Sequence, residues 1–259
     1  MKIDEYRGIR ALVAAEVTKD DTDEITFGTP FELAGVAELG RATENSSETH
    51  YYDNMPAIII NSVGADTVTI TTSAIDLAVL ADITGQIYDA EKGVFVEGGR
   101  QAKYFAIGYK TKKTNGDEVF VWRLKGQFNI PDSTHTTEND GTDANGQEVV
   151  FTGIQTTHKF TALGNKGCKA INVDVAKGLC DVSDFFDEVQ TPDTLEAINA
   201  YTLTITQDDD TTVIVKRNGL VLNSGATIHA GDVLTITCEG GTLKVNEESF
   251  VSGSTHTGT

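Results

Sequence analysis

The chain is poor in proline, cysteine, tryptophan and basic residues, and each shortage narrows what it can be. Only 4 prolines occur in 259 residues, so little of the backbone is barred from strand pairing, and abundant threonine suits the exposed faces of strands. The 3 cysteines, Cys168, Cys180 and Cys238, include no C-x-x-C pair. An odd count without framework spacing argues for reduced thiols in a cytosol, buried as small apolar residues. No apolar run approaches the roughly 20 residues of a membrane span. The amino terminus, from Met1 to Arg7, has no apolar stretch of the signal-peptide kind. The expectation is a protein made and kept in the cytoplasm until assembled.

Basic residues number 20 against 39 acidic ones, a net charge of −19. A nucleic-acid binder gains affinity by neutralising phosphates with Lys and Arg. Here the densest basic run is Lys110, Lys112 and Lys113, which argues against binding nucleic acid through its phosphates. Acidity of this kind keeps surfaces soluble and apart. Trp122 is the single tryptophan and lies in a hairpin that reads as core, which weakens an aromatic platform for sugars.

Catalytic and metal signatures are also missing. The sequence holds no G-x-S-x-G, Walker loop, dinucleotide fingerprint or H-E-x-x-H. None of His50, His135, His158, His229 and His256 stands four residues from another ligand. His50 reads as a surface-loop residue and His158 as a sheet-surface one. The loop of residues 131–148 carries Asp140, Asp143, Asn145 and Gly146, yet aligning Gly146 on the EF-hand glycine puts Gly141 at the first position and Thr152 at the twelfth. Two essential acids are absent and the calcium motif fails. Asp208-Asp209-Asp210 reads as a hairpin tip. The expectation is no enzyme, no cofactor and no metal.

Strand patterns dominate what is present. Residues 103–110 alternate Phe105, Ile107 and Tyr109, and residues 119–125 alternate Phe120, Trp122 and Leu124. Asn115-Gly116 between them predicts a type I′ hairpin, which would bring Trp122 together with the facing aromatic side chains. Further strands are expected at 57–61, 67–72, 149–155, 157–162 and 169–175. One amphipathic helix is expected over about 74–84: Ile75, Val79, Leu80 and Ile83 form its apolar stripe, Ser73 its N-cap, Asp76 a capping-box acid and Gly85 its end. Phe185-Phe186 reads as an aromatic pair closing the core in preference to a second helix.

A boundary falls at the polar stretch around Thr191-Pro192-Asp193. It divides a domain of residues 1–190 from a linker, 191–200, where 195–201 can form a helical turn, and from a module of residues 201–259. That module repeats short strands at 201–206, 212–217, 220–222, 233–237 and 242–245, separated by Asn218-Gly219, Asn223-Ser224-Gly225, Ala230-Gly231-Asp232 and Gly240-Gly241. Its Asn218-Gly219-Leu220-Val221, its run from Ala230 to Thr237 and its Leu243-Lys244-Val245-Asn246 resemble the immunoglobulin-like domains fused to phage tail and capsid proteins. The Cys…Trp…Cys set of antibody domains is absent.

Three features of the larger part follow one another in a telling order. Gly8-Ile9-Arg10 precedes Leu12-Val13-Ala14-Ala15, a turn at Gly28 to Pro30 leads into Phe31, Leu33 and Val36, and the Tyr52-Asp53-Asn54 turn comes before the helix. Over about residues 7–190 this order resembles the major tail proteins of long-tailed bacteriophages. The resemblance implies a mainly β fold, a mixed β-sandwich or barrel with one packed α-helix, followed by the small all-β immunoglobulin-like domain. It also implies a structural virion protein whose homo-hexameric rings stack into a tail tube, assembled in the host cytoplasm. DNA would pass through the lumen without specific binding. Its implied partners are further copies of itself and the tape-measure, tail terminator and distal tail proteins.

Within that reading, Arg41, Glu44, Glu48, His50, Tyr51, Tyr52 and Asp53 form a projecting loop or hairpin that engages the neighbouring ring. The 7 acidic and 3 basic residues from position 200 onward leave 32 and 17 for residues 1–199, a net of −15, so a bore lined by such subunits would hold few cations to trap DNA. The terminal module is either a weak host-surface contact or a passive spacer. The alternatives in other classes are a capsid decoration or head-associated protein and a host-surface carbohydrate-binding adhesin.

Overall fold

A computed structural model describes residues 3–132, 135, 137, 146–207, 209–217 and 219–240, together with the backbone of three short strands between 243 and 257. The fold is mainly β with one α-helix. It forms two compact units, residues 1–176 with 182–195, and residues 177–181 with 196–259.

The larger unit contains β1 (Tyr6–Asp20), β2 (Ile25–Phe27), β3 (Phe31–Glu32), β4 (Val36–Tyr52), β5 (Met55–Thr72) and the helix α1 (Leu77–Thr84). The small hairpin β6 (Ile87–Asp89) and β7 (Val94–Val96) follows, then β8 (Phe105–Lys113), β9 (Glu118–Phe128), β10 (Gln147–Gly153) and β11 (Ala170–Asp174). Nine of these strands make one antiparallel sheet in the order β2-β1-β8-β9-β10-β5-β4, with β3 also on β1 and β11 on β9.

Alternation fixes which face goes inward. In β5 the buried positions are Asp66, Val68, Ile70 and Thr72, and in β10 they are Val149, Phe151 and Gly153, the period of 2 that a pleated strand requires. Leu12, Ala14, Val68, Ile70, Phe105, Ile107, Val121 and Phe151 all belong to one cluster. Five strands therefore turn the same face onto a shared core, so the sheet curls around it. Burying each large side chain there contributes about 1.5–3 kcal/mol.

The helix closes that core through Ile83 and the half-buried Val79 and Leu80, joined by Ile75 just ahead of its N-cap. It is shorter at its start than the sequence suggested. Asp76 is the N-cap, accepting from Ala78 N at 2.8 Å. Ser73 is occupied elsewhere, its hydroxyl accepting from Gly35 N at 3.1 Å. Gly85 ends the helix with φ of 70°, in the left-handed region.

Several other expectations need correction. The segments 57–61 and 67–72 are parts of one 18-residue strand, β5. Residues 157–162 are bends leading into a short 3-10 turn at Thr161–Leu163, because Asp20 takes the N–H groups of Thr157 and His158, both at 2.8 Å. The β8–β9 turn is not type I′. Gly116 has φ of 96°, but Asn115 does not share its positive φ, and Gly116 N donates to Lys113 O at 3.0 Å; this is a type I turn closed by a left-handed glycine.

Across that hairpin Trp122 faces Gly108, not an aromatic residue. Its aromatic neighbour is Phe186, 5.8 Å away, and its Nε1 donates to Phe185 O at 2.7 Å. The Phe185-Phe186 segment is a set of turns, and Phe185 is buried against Phe120. The aromatic pair thus closes the outer face of β9.

Residues 191–195 fold with the larger unit, where Leu195 N donates to Thr191 O at 3.1 Å. The expected helical turn over 195–201 is absent: Ala197 bridges Cys180, and β12 (Ala200–Thr202) begins the smaller unit's strands. That unit continues with β13 (Thr212–Arg217), β14 (Leu220–Leu222), β15 (Thr227–His229), β16 (Val233–Glu239), β17 (Leu243–Val245), β18 (Glu248–Phe250) and β19 (Thr255–Thr257). Its main sheet runs β14-β13-β16-β19 over a core of Val215, Leu234 and Ile236. Asp232 pins a turn there by pairing with Arg217 at 2.7 Å and accepting from His229 N at 2.8 Å. Most of the polar loop 131–148, together with Asp208, Asn218 and Gly241, lies outside the described residues.

Candidate assembly surface

The strands β4 and β5 pair along almost their whole length, from Val36 opposite Thr72 to Tyr52 opposite Met55. Only the inner part rests on the sheet, because β10 pairs with β5 from Asp66 to Thr72 and no further. Beyond Asp66 the two strands run on alone as a ribbon, about 30–34 Å long at the rise of an extended strand. Its tip is a two-residue turn in which Asp53 and Asn54 have φ of 50° and 64°. Two positive φ values in succession make the type I′ turn that suits strand twist, and Asp and Asn tolerate it best after Gly.

The ribbon's surface is unusual. Tyr51, Tyr52, Met55, Ile58, Ile59, Ile60 and Val63 are all between 49% and 66% exposed. Because Ile58, Ile59 and Ile60 are consecutive, they point alternately to the two faces. Both faces of the ribbon therefore carry exposed isoleucine. Opposite them stand His50, Thr49 and Glu48 respectively. An isolated two-stranded ribbon is marginal in water, and an exposed apolar strand edge is a template for further pairing.

The seven residues expected at the assembly surface do not form one patch. Glu48, His50, Tyr51, Tyr52 and Asp53 occupy the ribbon, with His50 Nε2 4.0 Å from Glu48 Oε2. His50 is thus a strand residue and not a loop one. Glu44 lies at the ribbon's base, where the register shifts between Thr43 and Asn45, and its side chain folds over Gly64. Arg41 is on the sheet itself, opposite Val68, with its guanidinium 3.7 Å from Asp66. The sequence reading missed Met55, the three isoleucines and Val63. Their signal was an unbroken apolar run, which is expected of a strand covered on both faces.

Asp66 is the hub of an ion cluster at the base of the ribbon. Arg123 Nη1 lies 2.9 Å from its carboxylate and Lys169 Nζ 3.2 Å. Burial opposes its ionisation, but hydrogen bonds from Thr43 and Lys169 and the charges of Lys169 and Arg123 outweigh that and hold the carboxyl below its ordinary range. A second buried pair joins Asp20 to Lys125 at 2.5 Å. Among the described residues no group of three or more His, Cys, Asp or Glu side chains is placed to hold a metal ion. No helix among them is long and apolar enough to cross a membrane.

Neither a scan against protein-family models nor a search of curated proteins finds a match to this chain.

Proposed function

We propose that this protein is a structural subunit that polymerises with its own kind, forming stacked rings of a phage-type tail tube. The observation that carries the proposal is the ribbon beyond Asp66, with exposed isoleucine on both faces and no support from the rest of the sheet. Such a surface gains stability only when covered, and covering both faces calls for neighbours on two sides. Repeated contacts between different surfaces of identical copies give rings when they close and filaments when they do not.

The charge of −19 fits a channel that must not retain DNA. The smaller unit, with its separate core, fits an appended outer module. Trp122 is fully buried, which removes the chain's one indole from any sugar-stacking platform and disfavours the adhesin alternative.

Negative-stain electron microscopy with sedimentation across a concentration series tests the proposal. Hollow tubes or six-fold rings are expected. Particles that remain monomeric at every concentration, yet coat a preformed capsid lattice, would instead support the decoration reading.

A further inference from the structure

The larger unit contains a cavity of about 780 Å³ at the base of the ribbon, within the size range of small-molecule sites. One side of it is apolar, formed by Ile9, Leu39, Val63 and Val121. The other side gathers Arg41, Arg123 and Lys169 around Asp66. Glu38, an exposed residue, is the remaining carboxylate in the lining. Three cations thus face two carboxylates in a chain where acids outnumber bases nearly two to one.

The balance of hydrogen bonds is as uneven as the charge. Lys169 also donates to Gly64 O, and Arg41 to Thr43 Oγ1 at 3.1 Å. Among the described residues Arg123 has no such second acceptor: its side chain is only 6% exposed, Nη1 is bonded to Asp66, and Nε is buried without a partner. An unmet buried donor on a charged group carries a free-energy cost that a purely structural ion cluster would avoid. An anion entering the cavity would offset the excess positive charge of the three side chains.

From this we infer that the cavity binds an organic anion, a single carboxylate or phosphate head on an apolar body. The head is held by Arg41, Arg123 and Lys169, and the body lies along Ile9, Leu39, Val63 and Val121. This inference is independent of tube formation.

Calorimetric titration of the full chain tests it with octanoate and octyl phosphate as probes, and octanol and inorganic phosphate as controls. The two amphiphilic anions are expected to bind one per chain, octanol and inorganic phosphate at least tenfold more weakly. Arg41→Gln and Lys169→Gln are each expected to weaken octanoate about tenfold, the loss of one charge-assisted hydrogen bond. Equal binding of octanol would overturn the inference, as would equal binding of inorganic phosphate, or octanoate binding that neither substitution changes. Photoreactive octanoate on the unaltered protein supplies a check that does not depend on variants folding. Labelling at Ile9, Leu39, Val63 or Val121 supports the site, and labelling confined to residues 46–62 or to the smaller unit overturns it.

Discussion

Trp122 stands opposite Gly108 across the β8–β9 hairpin, its indole filling the space a side chain there would take. A Cβ at Gly108 would lie 3.0 Å from two indole carbons and 2.9 Å from Val13 Cγ2. The glycine is there for space, not for a special φ. Gly108→Ala is therefore expected to cost about 1–3 kcal/mol through overpacking. Chemical denaturation followed by the emission of the lone tryptophan measures it. An unchanged midpoint would mean that the indole has room to shift.

Asp20 joins parts of the chain far apart in sequence. Its carboxylate takes Lys125 Nζ and the N–H groups of Thr157 and His158. Burial resists its ionisation, but these hydrogen bonds and the Lys125 charge prevail and hold the carboxyl below its ordinary 3.8. A depressed carboxyl contributes stability above its unfolded value, and the contribution is lost as pH falls through the folded one. Asp20 and Asp66 together predict stability level from neutral pH down to about 4 and falling below it. Asp20→Asn leaves Lys125 without its counter-charge and is expected to cost about 3–5 kcal/mol at neutral pH. Thermal unfolding of both proteins between pH 3 and 7 should show a shallower acid limb in the variant.

What could be read from the sequence was what is local. The apolar stripe of Ile75, Val79, Leu80 and Ile83, with Gly85 after it, marks the helix because spacing and end signal agree. Its start was misjudged because the hydroxyl of Ser73 is drawn to Gly35, a contact 38 positions away in sequence. No break falls between residues 61 and 67, although Ser62 and Gly64 are turn-forming residue types. Within β5 that glycine instead gives room to the Glu44 side chain and offers its carbonyl to Lys169. The ion cluster was invisible for a similar reason. Arg41, Asp66, Arg123 and Lys169 come from four strands or their flanks, with no spacing that a motif could record.

The division of the chain predicts a clean truncation. The larger unit ends at Leu195, where Thr191 and Thr194 bond to one another. A protein ending at Leu195 keeps that unit's core whole and leaves only residues 177–181, which belong to the smaller unit, without their partners. It is expected to unfold cooperatively within a few degrees of the full chain's larger-unit transition and to assemble as the full chain does. Ending at residue 200 instead would leave Ala197 beside Cys180 without the rest of the smaller unit. Loss of tubes from the Leu195 truncation, with its fold intact by circular dichroism, would make the smaller unit part of the assembly contact.

The ribbon can be shortened without disturbing what lies beneath it, provided both strands are cut together. Ser46 stands opposite Ser62 and Asn45 opposite Val63, so replacing residues 46–62 by Asn-Gly closes the hairpin with a two-residue turn. Removing residues from β4 alone would instead leave the isoleucines of β5 unpaired and invite aggregation. The shortened protein is expected to keep its thermal midpoint within a few degrees, because none of the deleted residues is in the buried core. It should no longer form tubes. A milder variant, Ile58→Ser with Ile60→Ser, clears the apolar side chains from one face only and tests whether both faces are covered. Tubes of normal length from that variant would confine the contact to the face bearing Ile59, and normal tubes from the shortened protein would remove the ribbon from assembly altogether.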